Sequence, residues 1–97
     1  MSLSDADITL ITNFFTDKPV LKAYLFGSHS RNEAAPGSDI DILIELDYAQ
    51  HIGLGFVQMK LDLEKKLHKK VDLVSAQALS KYIKPFVEKD KVLIYEK

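Results

Sequence analysis

The chain has no cysteine, and its 97 residues include a single arginine, four glycines and three prolines. The absence of cysteine excludes disulfides, thiolate nucleophiles and zinc sites built on sulfur, and it is compatible with a reducing cytoplasm. No stretch approaches the roughly 20 apolar residues that a membrane-spanning helix requires. The N-terminal residues also lack a basic patch followed by a long apolar run, the pattern of a secretory signal. We therefore expect a cytoplasmic protein with no membrane-embedded part.

A large excess of charge of either sign is also missing. The 13 basic and 14 acidic residues give a formal net charge of −1. Composition thus gives no case for direct binding to nucleic acid, and any site for a polyanion must be local. The chain length and the hydrophobic fraction of 46% suit one domain, spanning residues 1–97, with one core.

Apolar residues recur at helical spacing in some segments and at strand spacing in others, which predicts an α/β (α+β) fold. Ser4 is expected to cap the first helix, which the Asp17-Lys18-Pro19 segment ends. Further helices are predicted over residues 28–34, 56–67 and 79–87, the last interrupted by Pro85. Strands are predicted over residues 20–26, 39–46, 71–74 and 92–95, and the last is expected at a sheet edge.

The connections between the predicted strands indicate a mixed β-sheet flanked by helices. A turn and a short helix separate the first two strands, which we expect to pair antiparallel. The helix between the second and third strands is long enough for a crossover, which favours a parallel, right-handed connection. This topology would bring the end of the first strand and the starts of the second and third strands to one end of the sheet.

A glycine-serine segment after the first strand predicts a phosphate-binding corner. It reads Leu25-Phe26-Gly27-Ser28-His29-Ser30-Arg31, and Ser38-Asp39-Ile40-Asp41 follows it. A glycine lets the backbone approach a phosphate, and a serine and the amides at a helix start can bind its oxygens. The planar guanidinium of the only arginine suits phosphate oxygens better than an ammonium does. We expect Gly27, Ser28 and Arg31 to bind a nucleoside triphosphate.

Three aspartates are candidates for catalysis and metal binding. Asp39 and Asp41 are two positions apart in the second strand, so both side chains point to the same face. Such a pair can bridge divalent ions such as magnesium. Asp72 from the third strand can complete a two-metal clamp for in-line attack on a phosphorus atom.

Most of these residues also have an interpretation without function. Asp39 can cap a turn, Asp41 can be a solvated strand residue, and Asp72 can be a charge at a strand start. Arg31 can be an ordinary helix-surface residue. Ser38 is either a turn cap or a second phosphate or metal contact. His29 in this turn is expected to be solvated, and we assign it no role.

Taken together, Gly27-Ser28, Arg31, Ser38-Asp39-x-Asp41 and Val71-Asp72-Leu73-Val74 resemble the motifs of the minimal nucleotidyltransferases, a family of the DNA polymerase β-like superfamily. The resemblance implies the polymerase β-like nucleotidyltransferase fold and assigns roles to the matching residues. Gly27 and Ser28 would hold the triphosphate, Asp39 and Asp41 would bind magnesium, and Asp72 would help to activate the acceptor hydroxyl. The family often has glycine after the arginine, where this chain has Asn32.

Members of this length are similar to the antitoxin of a two-gene system whose other product is an all-helical HEPN-domain ribonuclease. The resemblance therefore implies a magnesium-dependent enzyme that transfers AMP from ATP to a tyrosine of that partner. Longer relatives carry an added helical domain for substrate binding. The acceptor is thus expected to come from another chain or from a second copy of this one.

Two other functions fit the same residues. One is a binding module that neutralises a partner by contact alone and keeps the nucleotide pocket as a relic. The other is an antibiotic-modifying transferase, which the lack of a substrate-binding domain disfavours. No Walker-type glycine-lysine loop is present, which argues against an ordinary P-loop ATPase.

Overall fold

The computed structural model of the protein describes residues 3–31, 33 and 37–97. Within these residues the three α-helices are α1 (Asp5–Phe15), α2 (Gly55–Leu67) and α3 (Lys84–Asp90). The strands of the same part of the chain are β1 (Val20–Phe26), β2 (Ile40–Leu46), β3 (Val71–Ser75) and β4 (Val92–Glu96). Single 3-10 turns follow β1 at Gly27–His29 and β3 at Ala76–Ala78.

The strands form one mixed sheet in the order β3-β2-β1-β4. β1 pairs antiparallel with both β2 and β4, whereas β2 and β3 run parallel. Both predicted pairings and the edge position of β4 are thus confirmed. The parallel pair is possible because α2 carries the chain from the end of β2 back to the start of β3.

The main core lies between one face of the sheet and the helices α1 and α2. β2 contributes every second residue, and the helices contribute residues at helical spacing: Ile40, Ile42, Ile44, Leu46, Ile11, Phe14, Phe15, Met59, Leu63 and Leu67. The alternation in β2 confirms the predicted apolar face and directs Asp39 and Asp41 to the opposite side. Leu43 of β2 is buried on that opposite side. Val87 of α3 is buried as well, and neither residue belongs to the main core.

Helix α1 begins as predicted, because the Ser4 hydroxyl accepts a hydrogen bond from the Asp7 amide at 3.1 Å. Helix α3 differs from the prediction of a helix over residues 79–87 interrupted by proline. It begins at Lys84 and has Pro85 in its first turn, whereas residues 79–83 are not helical. A proline in the first turn removes no intrahelical hydrogen bond, so Pro85 starts this helix and does not break it.

The helix predicted over residues 28–34 is only partly covered by the described residues. The 3-10 turn occupies its start, and Ser30 and Arg31 continue as a hydrogen-bonded turn. Asn32 and residues 34–36 lie outside the described residues. Within the described part of the chain, none of the helices has the length and apolar character needed to cross a bilayer.

Candidate active site

Gly27 forms a corner at the end of β1 that only glycine fits. Its φ of 74° lies in the left-handed region, which other residues adopt at a cost. A Cβ placed on it would lie 2.3 Å from the Asp41 Oδ2, much closer than atoms can approach. The missing side chain therefore lets the backbone of the corner lie directly against the Asp41 carboxylate.

The chain after Gly27 closes into a tight turn through its own backbone. The Gly27 carbonyl accepts hydrogen bonds from the Ser30 amide at 3.2 Å and the Arg31 amide at 3.3 Å. The Ser30 hydroxyl donates to the same carbonyl at 2.9 Å, and the half-buried Ser28 accepts from the Glu33 amide through its own carbonyl. Ser30, which sequence reasoning left without a role, therefore helps to fix this turn.

Asp41 lies at the junction of two strand pairings. It is opposite Phe26 in the antiparallel pair and opposite Asp72 in the parallel pair. The Ile40 amide donates to the Lys70 carbonyl at 3.0 Å, which joins the starts of β2 and β3. The structure thus brings the corner, Asp41 and Asp72 to one end of the sheet, as predicted from the topology.

The environment of Asp41 opposes its negative charge. Burial raises its pKa above the ordinary value of 3.8, and the carboxylates of Asp72 and Asp39 raise it further. His29 and Arg31 act in the opposite direction. Asp41 is half-buried, while Asp39 and Asp72 are exposed. Three like charges that influence one another beside an open corner form a locally negative site.

The described residues contain no group of three histidine or acidic side chains placed so that they could hold a metal ion. The chemistry of the donors nevertheless fits magnesium, which prefers carboxylate oxygens. Burial is the main cause of the raised pKa of Asp41, and a bound cation would relieve the second cause, the repulsion from Asp72 and Asp39. The assignment of the three aspartates as metal ligands stays a prediction.

His29 corrects an expectation from the sequence. Its side chain is 6% exposed and not solvated, because the 3-10 turn folds it inward toward the segment that precedes β2. Its Nε2 lies 3.4 Å from the Ser38 carbonyl oxygen, and among the described residues its Nδ1 has no hydrogen-bond partner. No local sequence pattern indicates this burial, because it depends on how the turn packs against the segment before β2.

Arg31 lies at the edge of the site between two carboxylates. Its Nε donates to Glu33 Oε2 at 3.0 Å, and its Nη1 makes a close ion pair with Asp90 of α3. Both partners raise its pKa. Sequence reasoning missed Asp90, because no local pattern links positions 31 and 90. The predicted phosphate-binding role of Arg31 stays a prediction.

The family model for "Polymerase beta, Nucleotidyltransferase" matches residues 9–97 of the chain. The chain therefore belongs to this nucleotidyltransferase family, as the motifs around the Gly27 corner predicted. The match extends through β4, beyond the segment from Leu25 to Val74 that carries the motifs.

Curated relatives support the same class of enzyme. The chain is 38% identical over 65 residues to "Putative protein adenylyltransferase MJ0435" of Methanocaldococcus jannaschii, with 67% of this chain and 69% of the relative covered. It is 41% identical over 71 residues to "Putative protein adenylyltransferase MJ0128" of the same organism, with 72% and 71% covered. The prediction that this chain is a nucleotidyltransferase is confirmed.

Solved structures confirm the predicted fold. A crystal structure of a toxin-antitoxin with AMP-PNP contains a chain with a TM-score of 0.78 and 24% identity, covering 93% of this chain and 73% of that one. A structure described as a "putative minimal nucleotidyltransferase" matches with a TM-score of 0.76 and 26% identity, covering 90% and 88%. A tri-AMPylated Shewanella oneidensis HEPN toxin in complex with MNT antitoxin matches with a TM-score of 0.74 and 21% identity, covering 98% and 74%.

Proposed function

We propose that this protein transfers AMP from ATP to a tyrosine hydroxyl of a HEPN-domain partner and thereby silences that partner. The observation that carries the proposal is the position of Asp41, which is opposite Asp72 and in contact distance of the Gly27 corner. The curated relatives are named protein adenylyltransferases, which supports AMP as the group and a protein as the acceptor. The chains of similar fold come from toxin-antitoxin crystals, which supports the kind of partner.

The residues of the site divide the work of an in-line transfer. Gly27 and Ser28 would bind the triphosphate, because Gly27 has no side chain between its backbone and the Asp41 carboxylate. Arg31 follows the corner, and the Ser38 carbonyl lies 3.4 Å from His29 Nε2 of the same turn, so both residues would add polar contacts to the phosphates. Asp39, Asp41 and Asp72 would hold magnesium, which neutralises phosphate charge and orients the oxygens when it is bound.

The transfer itself exchanges one phosphorus–oxygen bond for another. The acceptor oxygen bonds to the α-phosphorus of ATP, and the bond from that phosphorus to the bridging oxygen of pyrophosphate breaks. Pyrophosphate carries away the bonding electron pair. The hydroxyl proton goes to a carboxylate of the site, and Asp72 is suited to receive it because it is exposed at the start of β3.

The test mixes the purified chain with ATP, magnesium and the product of the neighbouring gene as the partner, and records the intact mass of both proteins. We expect the partner to gain the mass of AMP. The double variant Asp39→Asn, Asp41→Asn should abolish the gain and stay folded. The double variant Asp5→Asn, Asp17→Asn removes the same charge from exposed positions of α1 and its C-terminal end and should transfer normally. No adduct with any nucleotide or metal would refute the proposal.

A second function, neutralisation by contact alone, is favoured by one observation. Arg31 is held by Glu33 and Asp90 and does not project as a lone guanidinium toward a phosphate. The aspartate double variant separates the two functions, because a pure binding module would still protect cells from the partner. Loss of protection together with loss of AMP transfer would exclude it.

A further inference from the structure

An exposed apolar surface lies on and just before helix α3. We call Tyr82, Ile83 and Phe86 the α3 surface; these side chains are 75%, 54% and 71% exposed. Val87 of the same helix is buried against the rest of the molecule and so attaches the helix to it. The large side chains of the α3 surface are therefore not needed to attach the helix, and they remain open to a partner.

The α3 surface adjoins the active site. Ile83, Phe86 and Asp90 are spaced at i, i+3 and i+7 and so lie along one side of the helix. Asp90 holds Arg31, which follows the Gly27 corner. A row of residues thus leads from the apolar surface to the edge of the site, and Phe86 is one helical turn from Asp90.

The course of the chain after α3 supports this placement. Helix α3 leads into β4, and Val92 at the start of β4 is opposite Leu25 in the sheet. Leu25 is two residues before the Gly27 corner. The C-terminal end of α3 is therefore at the same end of the sheet as the three aspartates.

Unpaired lysines surround the α3 surface. Lys81, Lys84 and Lys89 are exposed and make no ion pair with the described residues, and the Lys81 ammonium lies 5.3 Å from the centre of the Tyr82 ring. The acidic residues of α3 are already engaged, since Glu88 pairs with Lys91 and Asp90 with Arg31. The surface is thus apolar at its centre and positively charged at its rim.

We propose that the α3 surface is the docking site for the acceptor protein, whose matching surface is apolar at its centre and acidic at its rim. This inference rests on the proposed function, because it supplies the step that brings a protein hydroxyl to the site. An acidic rim on the partner would complement the three lysines and accelerate its association. A symmetric dimer through this surface is disfavoured, because two-fold symmetry would bring two rims of the same positive charge together.

Docking at the α3 surface has a kinetic signature. Contacts far from the reacting atoms that bind the acceptor equally before and during transfer change its KM and leave kcat unchanged. ATP makes no contact with Ile83 or Phe86 in the proposed arrangement, so the KM for ATP should stay unchanged as well. Loss of a residue that merely supports the fold would instead lower the amount of active enzyme, and so the apparent kcat, without raising the KM for the acceptor.

The test measures initial rates of AMP transfer to the purified HEPN-domain partner by the full-length protein. The variant Ile83→Ser, Phe86→Ser is expected to raise the KM for the partner about tenfold or more, with kcat and the KM for ATP within about twofold of wild type. A matched control is Val57→Ser, Leu61→Ser in the first two turns of α2, where both residues are also about half-exposed. This control should behave like wild type.

A charge variant keeps the proposal testable if the serine variant folds poorly. Lys84→Glu, Lys89→Glu removes no apolar contact and should slow association with the partner and abolish its dependence on salt. An unchanged KM for the partner in both variants would overturn the proposal. A wild-type dimer that either variant dissociates, or single-stranded RNA binding that either variant loses, would also overturn it by assigning the surface to another occupant.

Failure of the proposed function is separable from failure of the docking inference. If wild-type protein shows no transfer, calorimetric titration with the same partner still measures docking. Binding that the serine variant weakens about tenfold, and the α2 control does not, would support the α3 surface alone. The docking inference would be refuted if the wild type did not bind the partner, or if the serine variant and the α2 control bound it equally well.

Discussion

Asp41 is the most constrained residue of the site. It must be charged to hold a cation, yet burial and two neighbouring carboxylates raise its pKa. The charged carboxylate therefore lowers the free energy of unfolding, because the unfolded chain exposes the same group to water. A residue kept in this environment despite the cost is typical of a functional site.

We predict that Asp41→Asn stabilises the protein in the absence of metal and nucleotide. A carboxyl with a raised pKa favours the folded state at low pH, and this contribution is lost as the pH rises through that pKa. The gain in the free energy of unfolding should thus appear as the pH rises above the ordinary carboxyl value of 3.8 and persist to pH 7. Because Asp41 is only half-buried, this gain should stay below about 1 kcal/mol.

Thermal unfolding at pH 4 and pH 7 measures this difference. Asp17→Asn is the contrasting control, because Lys18 lowers the pKa of Asp17 and its loss should not stabilise the fold. Equal or lower stability of Asp41→Asn at pH 7 would show that this carboxylate is not under electrostatic strain.

We predict that Asp90→Asn lowers the KM for ATP by about two- to fivefold, the range that an exposed ion pair can supply. The substitution removes one of the two carboxylates that hold Arg31 and leaves its guanidinium freer to meet phosphate. Steady-state kinetics with ATP as the varied substrate measures the effect. Glu88→Gln, which removes a carboxylate of the same helix that pairs with Lys91, should leave this KM unchanged. An increase in the KM for ATP would contradict the prediction and would mean that Asp90 positions Arg31 to bind phosphate.

At the scale of elements, the corner between β1 and the segment before β2 depends on one missing side chain. Gly27 and Gly37 both have positive φ, at 74° and 85°. A Cβ at Gly37 would meet none of the described residues within 4 Å, whereas a Cβ at Gly27 would collide with Asp41. Substitution of Gly37 therefore measures the cost of the backbone conformation alone, and substitution of Gly27 adds the cost of the collision with Asp41.

We predict that Gly37→Ala costs about 1–2 kcal/mol of stability, the penalty for a left-handed residue, and keeps transfer activity. Gly27→Ala should cost more than Gly37→Ala and abolish transfer, because either the corner or the Asp41 carboxylate must move. Chemical denaturation and the mass assay of AMP transfer measure both effects. Equal losses of stability in the two variants would mean that the corner relaxes without disturbing Asp41.

The elements differ in how far the sequence predicted them. The strand β2 and its pairing were predictable, because alternate isoleucines and the lengths of the connections leave few arrangements. The start of α3 was not, because Pro85 can either break a helix or begin one, and only the chain around it decides. The burial of His29 and the pair of Arg31 with Asp90 depend on side-chain packing between segments, which no local pattern records.

For the molecule as a whole, ligand binding should be visible as stability. We predict that magnesium together with a non-hydrolysable ATP analogue raises the unfolding temperature of the wild type, because a ligand that binds only the folded state stabilises it. At a concentration 100-fold above Kd the gain is about 2.7 kcal/mol. The unfolding temperature of the variant Asp39→Asn, Asp41→Asn should not rise when magnesium and the analogue are added. Equal stabilisation of both proteins would place the ligand elsewhere.

The double pairing of Asp41 ties activity to correct assembly of the sheet. Its neighbours Ile40 and Ile42 point into the core, so a slip of one residue in either ladder would carry the carboxylate inward and an isoleucine outward. A molecule with such a register error would have no transfer activity rather than a reduced one. The specific activity of a preparation should therefore be proportional to the fraction of molecules with the native strand register, so it also measures the yield of correct folding.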